Sequence, residues 1–329
     1  MMPEAAGFIP VLHAAALDRP DEIDSIAAAE AVAGALDRLG YATEIVALTP
    51  DLRGIDRLKV RQPLLVFNLV DAVGGDYRAA PEVPVRLDAL KLPYTGAGTK
   101  PWLETLSKTA TKLKLDQAGL PTPHWSEDGG GLDPEARYIV KPVWEHGSLG
   151  LDPGSVVRGA DAALVIGERS LRWDTEHFAE AYIDGREFAA AMMDGPDGVE
   201  VLPIRETVFH GFGDGEPLIT GYDAKWTPGS QAFEGTPRRF GIERAEPELA
   251  AELIRLTFAC WDLFQVDGYA RVDFRVDDAG APFILEVNMN PCLGADAGFA
   301  ASAEEADLDY DALIGRIVEA SLVRSQASA

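Results

Sequence analysis

The stretch Gly268–Leu293 reads GYARVDFRVDDAGAPFILEVNMNPCL. Two runs of alternating apolar and polar residues flank Asp277–Gly280, a pattern that predicts a β-hairpin with a tight turn. Because successive side chains of a strand point to opposite faces, one face carries an arginine, two carboxylates and an amide. These residues are Arg271, Asp273, Glu286 and Asn288. With a turn centred on Asp278–Ala279, the expected register sets Arg271 opposite Glu286.

The polar face of this hairpin has the chemistry of a magnesium site. Magnesium binds oxygen ligands, commonly one or two carboxylates together with substrate phosphates, and Asp273, Glu286 and Asn288 offer such oxygens. Arg271 beside them is suited to neutralise an oxyanion. A solvated hairpin face would also be polar, so that alternative stays open. We favour the metal site because the acids lie within strands that read as buried, where a charge must be paired or metal-bound.

Apolar periodicity predicts an open α/β layer before this region. Strand patterns over 8–13 and 41–48 flank a helical stripe, and the run 64–69 is typical of a buried parallel strand. Strand–helix–strand order of this kind indicates a parallel sheet covered by helices. Nearer the C-terminus, apolar stripes at helical spacing predict helices over 247–264 and 309–323.

The pattern Arg-x-Asp followed by Leu-Glu-x-Asn-x-x-Pro resembles the magnesium end of the ATP-grasp carboxylate–amine ligases, most closely the D-alanine–D-alanine ligase group. The resemblance covers most of the chain from about Leu92 onward. It implies an α/β, three-domain ATP-grasp fold with an N-terminal open parallel α/β domain and an α+β C-terminal part. The expected domains are 1–103, 104–184 and 185–329, with ATP held between the last two.

Further motifs stand before the hairpin in the order of that family. They include a basic helix over 105–119, a strand-ending lysine followed by a Gly/Ser loop over 143–150, and the segment YDAKW over 222–226. A Gly/Ser loop after a lysine suits phosphate binding, because backbone N–H groups surround the anion and lysine adds a point charge. Ser107 and Trp226 depart from the family, which has aspartate and tyrosine there.

The resemblance implies a role for each residue that matches a motif. Nucleotide contacts are implied for Lys108, Lys141, Glu145, Ser148, Glu180, Tyr182, Ile183, Glu187 and Lys225. The implied ligands of Mg²⁺ or Mn²⁺ are Asp273, Glu286 and Asn288, and the implied catalytic residues are Arg271, Lys225 and Ser148. Taken singly, a lysine or a pair of acids is as well explained by a solvated surface. The order of the motifs is what favours the ligase.

The implied reaction joins a carboxylate, expected to be an amino acid or a related small acid, to an amine through an acyl phosphate, releasing ADP and phosphate. In the family, a Ser-Leu pair holds the acceptor carboxylate. Here Ala297–Gly298 stands at about that position without a hydroxyl, and the neighbouring Asp296 favours an amine. Glu22 is the candidate for the glutamate that receives the first D-alanine. We therefore expect a divergent substrate.

Three alternatives to this reaction stay open. One is a true D-alanine–D-alanine ligase of cell-wall synthesis, and another is a one-substrate cyclising or kinase-like ATP-grasp enzyme. The third is a nucleotide-binding regulator without catalysis, which the presence of Arg271 beside the predicted metal ligands disfavours, because a pure binder needs no oxyanion partner.

The composition of the chain argues against some classes of binding partner. The 329 residues carry 29 basic and 54 acidic side chains, a formal net charge of −25, which argues against nucleic acid or an anionic membrane as a partner. The two cysteines, Cys260 and Cys292, have no metal-ligand spacing. No signal peptide or membrane helix is expected, so the cytoplasm is the predicted location. Small amino-acid-like molecules are the expected partners, and a homodimer stays open.

Overall fold

The computed structural model of the protein describes residues 6–15, 20–145 and 147–327. In these ranges the strands form three sheets that follow one another along the chain. The side chain of Glu22, a predicted substrate residue, lies outside the described residues, as does His146. No helix in the described ranges is long and apolar enough to cross a membrane.

The first sheet is parallel, with strand order β2-β1-β3. The elements of this part are β1 (Phe8–Ala14), α1 (Pro20–Arg38), β2 (Ala42–Leu48), α2 (Arg53–Arg61), β3 (Phe67–Asn68) and α3 (Glu82–Ala89). Ile9, Val11 and Phe67 are fully buried and pack with α1. The predicted parallel α/β layer is confirmed, although only two residues of the run 64–69 pair as a strand.

The second sheet is antiparallel, with strand order β4-β7-β5-β6. The elements here are α4 (Thr99–Thr105), α5 (Lys108–Gln117), β4 (Trp125–Ser126), β5 (Arg137–Pro142), β6 (Val156–Arg158), α6 (Gly159–Trp173) and β7 (His177–Ala181). The helix predicted over 105–119 begins later, because the Ser107 side chain caps it by accepting a hydrogen bond from the Ala110 N–H at 3.2 Å. Lys108 is the first residue of the capped helix.

The third sheet is the largest, with strand order β11-β10-β8-β12-β13 and β9 paired to β8. Its elements are β8 (Gly185–Gly195), β9 (Gly198–Val201), β10 (Arg205–Thr207), α7 (Tyr222–Trp226), α8 (Gln231–Glu234), β11 (Arg238–Arg239), α9 (Ile242–Ala245), α10 (Pro247–Phe264), β12 (Tyr269–Asp277), β13 (Pro282–Asn288), α11 (Gly298–Glu305) and α12 (Tyr310–Ala327). Helix α10 packs on one face, where Leu256 and Phe264 meet Phe188 and Phe274 in a buried cluster. The opposite face is left for polar side chains.

The β12–β13 hairpin turns at Asp277–Gly280, as predicted, with the Gly280 N–H donating to the Asp277 carbonyl at 2.9 Å. The predicted register was wrong, since Asp273 lies opposite Glu286 and Arg271 lies opposite Asn288. Two single-residue shifts separate the expected register from the observed one. The loop between the strands is one residue longer, and a β-bulge follows Asp273.

These two shifts explain why the predicted polar face survives. A one-residue slip reverses the face of every side chain, and a second slip restores it. Glu286 and Asn288, beyond both shifts, therefore share a face with Asp273. Strict alternation would put Ile284 on the polar face with Glu286, but Ile284 lies between the shifts, pairs with Phe274 and is fully buried in the core. The bulge also leaves Leu285 lining the polar side.

Gly185, the first residue of β8, has a conformation that only glycine adopts easily, with φ at +140°. A Cβ atom there would lie 2.1 Å from the Val276 carbonyl oxygen. We expect Gly185→Ala to lower the free energy of unfolding by about 1–3 kcal/mol from backbone strain alone, measured from the urea midpoint at unchanged m-value.

The matched control for this substitution is Gly167→Ala in α6, where a Cβ atom would meet nothing within 4 Å. Alanine favours a helix interior over glycine by about 0.5–1 kcal/mol, so the control should gain stability. Equal stability of Gly185→Ala and the wild type would show that the close approach of β8 to β12 is not needed.

Candidate active site

A cleft of about 780 Å³ is lined by residues of the second and third sheets and by residues of α1 and of the segment after β3. It brings together the predicted site residues whose side chains are described, although they are distant in sequence. The cleft residues that had been predicted are Lys108, Lys141, Glu145, Ser148, Glu180, Tyr182, Ile183, Glu187, Lys225, Arg271, Asp273, Glu286, Asn288 and Asp296. Because nucleotides and their substrates bind in concave sites with convergent polar groups, this cleft is the candidate active site.

The floor of the cleft is the polar face of the third sheet. Arg205 on β10 pairs with Ala189 on β8, Ala189 pairs with Asp273 on β12, and Asp273 pairs with Glu286 on β13. Side chains in register across a sheet lie on one face, so these four residues form a row across the cleft. Ala189, between Arg205 and Asp273, is buried.

Arg271 and the two acids of this row form a compact charged group. The Arg271 guanidinium binds Asp273 through two hydrogen bonds, with Nε–Oδ1 at 2.6 Å and Nη2–Oδ2 at 2.8 Å, and lies 3.7 Å from Glu286. Lys108 Nζ is 3.4 Å from the other Glu286 oxygen. Burial lowers the pKa of Arg271, but the Asp273 carboxylate outweighs burial and raises it above its usual value.

The donors in this group fit a magnesium ion. Asp273 and Glu286 are direct cross-strand neighbours, and Asn288 follows on the same face with its amide oxygen accepting the Asn290 N–H at 2.9 Å. In the described part of the chain, no three His, Cys, Asp or Glu side chains are grouped to hold a metal ion. A divalent ion here therefore depends on the Asn288 amide and on ligand oxygens such as phosphate, as magnesium sites commonly do.

Lys141 lines the cleft and forms a buried ion triad with Glu180 and Lys112. Glu180 is 1% exposed and Lys112 is fully buried, with Lys112 Nζ 2.6 Å from one Glu180 oxygen and Lys141 paired to the other. Burial raises the pKa of Glu180, but the two lysines outweigh it and keep that pKa below its usual value. Burial lowers the pKa of Lys112 to about 8. The motifs did not single out Lys112, whose one signal was its place one turn after Lys108.

Two loops cover the cleft and are bonded to each other. Ser148 Oγ donates to the Thr220 carbonyl at 3.1 Å, and the Trp226 indole N–H donates to the Gly147 carbonyl at 2.8 Å. At Gly221 a Cβ atom would lie 2.6 Å from the Leu151 carbonyl oxygen, so glycine permits this close approach. We call residues 147–151 and 218–226 the cover.

Lys225 projects from the cover into the cleft. Burial and the positive charge of Arg271 lower the pKa of Lys225. In the described ranges, no carboxylate lies within 4 Å of its ammonium group. A recessed lysine without a partner is suited to bind an anion from a ligand.

The nucleotide segment predicted over 180–187 anchors the cover from the other side. Thr220 Oγ1 donates to Glu187 at 2.6 Å, and Arg275 lies 3.3 Å from the same carboxylate. The Tyr182 hydroxyl accepts the Leu218 N–H at 2.8 Å. Ile183, between β7 and β8, lines the cleft as an apolar neighbour.

The end of the cleft next to α1 is acidic. Asp24, Asp71 and Asp296 line it, and the Cys292 thiol donates to Asp24 at 3.3 Å. Burial raises the pKa of Asp24, and the like charge of Asp296 raises it further. Asp24 was missed in the sequence because a single acid on a helix has an ordinary explanation as a solvated side chain.

The chain is similar in sequence and structure to known proteins. Residues 136–319 match the family model described as the D-Ala–D-Ala ligase C-terminus. The chain belongs to the D-alanine–D-alanine ligase family. The expectations of an ATP-grasp fold and of an ADP-forming C–N ligase that uses ATP and a divalent metal ion are thereby confirmed.

Family members similar to this chain include proteins with and without an assigned activity. It is 31% identical over 302 residues to "Uncharacterized protein y4sG" of Sinorhizobium fredii, covering 88% of this chain and 86% of that one. It is 31% identical over 312 residues to the D-alanine–D-alanine ligase of Moorella thermoacetica, covering 91% and 94%. The crystal structure of the Bacillus anthracis D-alanine–D-alanine ligase complexed with ATP superposes with a TM-score of 0.77 at 23% identity, covering 98% and 100%.

The buried lysine of the ion triad should make stability depend on pH. Burial lowers the pKa of Lys112 to about 8 in the folded protein, against an ordinary lysine pKa of 10.5. Between these values the unfolded chain binds more protons at this site than the native chain, so this lysine makes the free energy of unfolding rise with pH. Below about pH 8 both states are protonated and the contribution is flat.

We therefore expect the stability difference between wild type and Lys112→Met to shift in favour of the wild type as pH rises from about 8 to 10.5. Urea unfolding at pH 7, 8, 9 and 10 measures it. Lys59→Met removes an exposed lysine and should run parallel to the wild type. A Lys112→Met profile parallel to the wild type would contradict the buried triad.

Proposed function

We propose that this ligase joins the carboxylate of an amino acid or a related small acid to an amine, with ATP as the energy source and an acyl phosphate as the intermediate. The observation that carries the proposal is the convergence of three lysines on the paired carboxylates Asp273 and Glu286 in one cleft. Carboxylates that hold Mg²⁺ and cations that bind phosphate are the parts that phosphoryl transfer requires.

The structure supports a division of labour within the cleft. Lys141, held by Glu180, and Lys108, beside Glu286, are placed to bind the phosphates of ATP. Lys225 and Ser148 belong to the cover and are placed to close over them. Asp273, Glu286 and Asn288 would hold Mg²⁺, which supplies charge neutralisation at the phosphates.

The proposed reaction has two steps. The substrate carboxylate attacks the γ-phosphorus of ATP, so that a new P–O bond forms as the bond to ADP breaks. The amine then attacks the acyl carbon, the C–O bond to phosphate breaks, and the nitrogen loses a proton as the amide forms. Arg271 is placed to stabilise the oxyanion of the second step, and loss of one such donor costs roughly 3–4 kcal/mol.

We also propose three functional domains, 1–103, 104–184 and 185–329. The three sheets support this division, since the first ends at Asn68, the second spans 125–181 and the third begins at Gly185. The cover joins the second and third domains across the cleft. The first domain contributes the acidic end through Asp24 and Asp71.

The acidic end supports a substrate other than a pair of D-alanines. Asp24 and Asp296 create a negative potential that an ammonium group would relieve, and Ala297–Gly298 has no hydroxyl for a carboxylate. The names of the Moorella and Bacillus relatives favour the second candidate, D-alanine–D-alanine synthesis. Both candidates share the nucleotide and metal residues and differ in the substrate end of the cleft.

The test is ADP release in the presence of ATP and Mg²⁺, with common D- and L-amino acids added singly and in pairs and the products weighed by mass spectrometry. We expect release that requires a pair, with a product mass equal to the sum of the pair minus water. D-Ala-D-Ala as the preferred product would select the second candidate. ADP release with a single substrate would instead indicate a cyclising or kinase-like reaction.

Glu286→Gln tests the proposed metal group. The substitution removes a carboxylate that binds the metal while keeping the side-chain shape, so we expect ADP release to fall by at least about 100-fold with an unchanged far-ultraviolet circular dichroism spectrum. Glu304→Gln, on the exposed face of α11, is the matched control and should keep full turnover. Unchanged turnover of Glu286→Gln would place the metal elsewhere.

A further inference from the structure

Arg205 is an arginine of the cleft that has no side-chain partner among the described residues. Four of the other arginines on this sheet are matched to carboxylates, since Arg186 and Arg239 bind Glu206, Arg271 binds Asp273, and Arg275 binds Glu187. Arg205, by contrast, makes no hydrogen bond or ion pair to any residue in the described part of the chain. Burial and the nearby charge of Arg271 lower the pKa of Arg205 to about 10, so the group is charged at neutral pH.

The guanidinium of Arg205 lies against the first residue of α11. A Cβ atom on Gly298 would be 3.2 Å from Arg205 Nε and 3.3 Å from its Cζ. A side chain at position 298 would therefore crowd the guanidinium in this position. The free N–H groups at the start of α11 and the guanidinium together favour an anion at this point of the cleft.

This point is separate from the proposed phosphate region. Arg205 and Glu286 are at opposite ends of the row across the sheet, with Ala189 and Asp273 between them. Adjacent strands are about 4.8 Å apart, so the Arg205 backbone is roughly 10 Å from that of Asp273. Lys108 lies beyond Glu286, on the far side of Asp273 from Arg205.

Arg238 lies at the same corner of the cleft as Arg205 and Gly298. It lines the cleft and donates to the carbonyl oxygen of Asp296, two residues before Gly298. Its charge is among those that lower the pKa of Arg205. Two cations and a helix start at one corner, next to the acidic end that Asp24 and Asp296 form, suit a molecule that carries both a carboxylate and an amine.

We propose that Arg205, at the start of α11, binds the carboxylate of the amine substrate and makes the enzyme select amino acids over amines that lack an acidic group. The proposal rests on the proposed ligase function and names the class of its second substrate. A planar guanidinium offers two parallel N–H donors to a carboxylate, which replaces the hydroxyl that is missing at Ala297–Gly298.

The first test compares each accepted amine substrate with its carboxamide in the ADP-release assay. We expect the wild type to prefer the acid, and Arg205→Met to lower kcat/KM for the acid roughly 10- to 100-fold while the KM for ATP and the rate with the carboxamide change little. Arg205→Lys should be intermediate, since it keeps the charge without the planar fork. Arg244→Met removes an exposed arginine outside the cleft and should match the wild type.

The second test does not need turnover. The thermal shift caused by each common D- and L-amino acid, and by its carboxamide, is measured on the complex with Mg²⁺ and a non-hydrolysable ATP analogue. We expect amino acids to stabilise the wild type and Arg244→Met but not Arg205→Met. No ADP release with any pair, together with this stabilisation, would reject the proposed reaction and keep the carboxylate site.

The proposal is overturned by any of three results. Equal use of the acid and the carboxamide by the wild type would show that the enzyme does not recognise the carboxylate of the amine substrate. A raised KM for ATP in Arg205→Met, with the acid preference intact, would assign Arg205 to phosphate. Stabilisation of neither the wild type nor Arg244→Met by any amino acid would leave the corner without an amino-acid ligand.

Discussion

The pairing of Asp273 with Glu286 across β12 and β13 is the constraint on which the rest of the site depends. Two carboxylates in register have Cβ atoms about 4.5–5.5 Å apart, where like charges repel unless cations intervene. Arg271 and Lys108 supply those cations here. The two carboxylates are also suited to a divalent ion. The oxygens that Arg271 now binds are those that a metal would bind.

The neighbouring strands are adapted to this charged row. Ala189 and Ala191 on β8 lie beside Asp273 and Arg271, and both short side chains are buried. On the other face, larger apolar residues of β8 and β12 pack under α10. The charged row therefore stands on a sheet with a packed opposite face, and a rigid base is what holds charged groups in a fixed geometry.

The cover and the ion triad differ in how firmly they are held. The triad is enclosed, and Glu180 binds two lysines in a nearly solvent-free setting, where breaking a pair is costly. The cover is held by a small number of hydrogen bonds between loops, such as Ser148 to Thr220. Loops of this kind open and close more easily than packed elements. Lys141 is therefore held by buried ion pairs, whereas Lys225 lies in a segment that hydrogen bonds hold to its neighbours.

The sequence by itself determined the elements and the chemistry of the centre. Apolar periodicity defined α10 at its observed bounds and the parallel layer around β1, because burial of one face selects the residue pattern directly. Alternation placed Asp273, Glu286 and Asn288 on one face. The prediction of a shared face was correct although the predicted register was wrong, because two one-residue shifts together return each side chain to its original face.

Only the tertiary structure decided which distant groups meet. The bulge after Asp273, the burial of Lys112 against Glu180, and the corner formed by Arg205 and Gly298 depend on contacts between segments far apart in the chain. A lone lysine, arginine or glycine has an ordinary surface explanation in sequence. Whether such a group is paired or free is set by the strands and helices that fold against it, and local patterns carry no record of those neighbours.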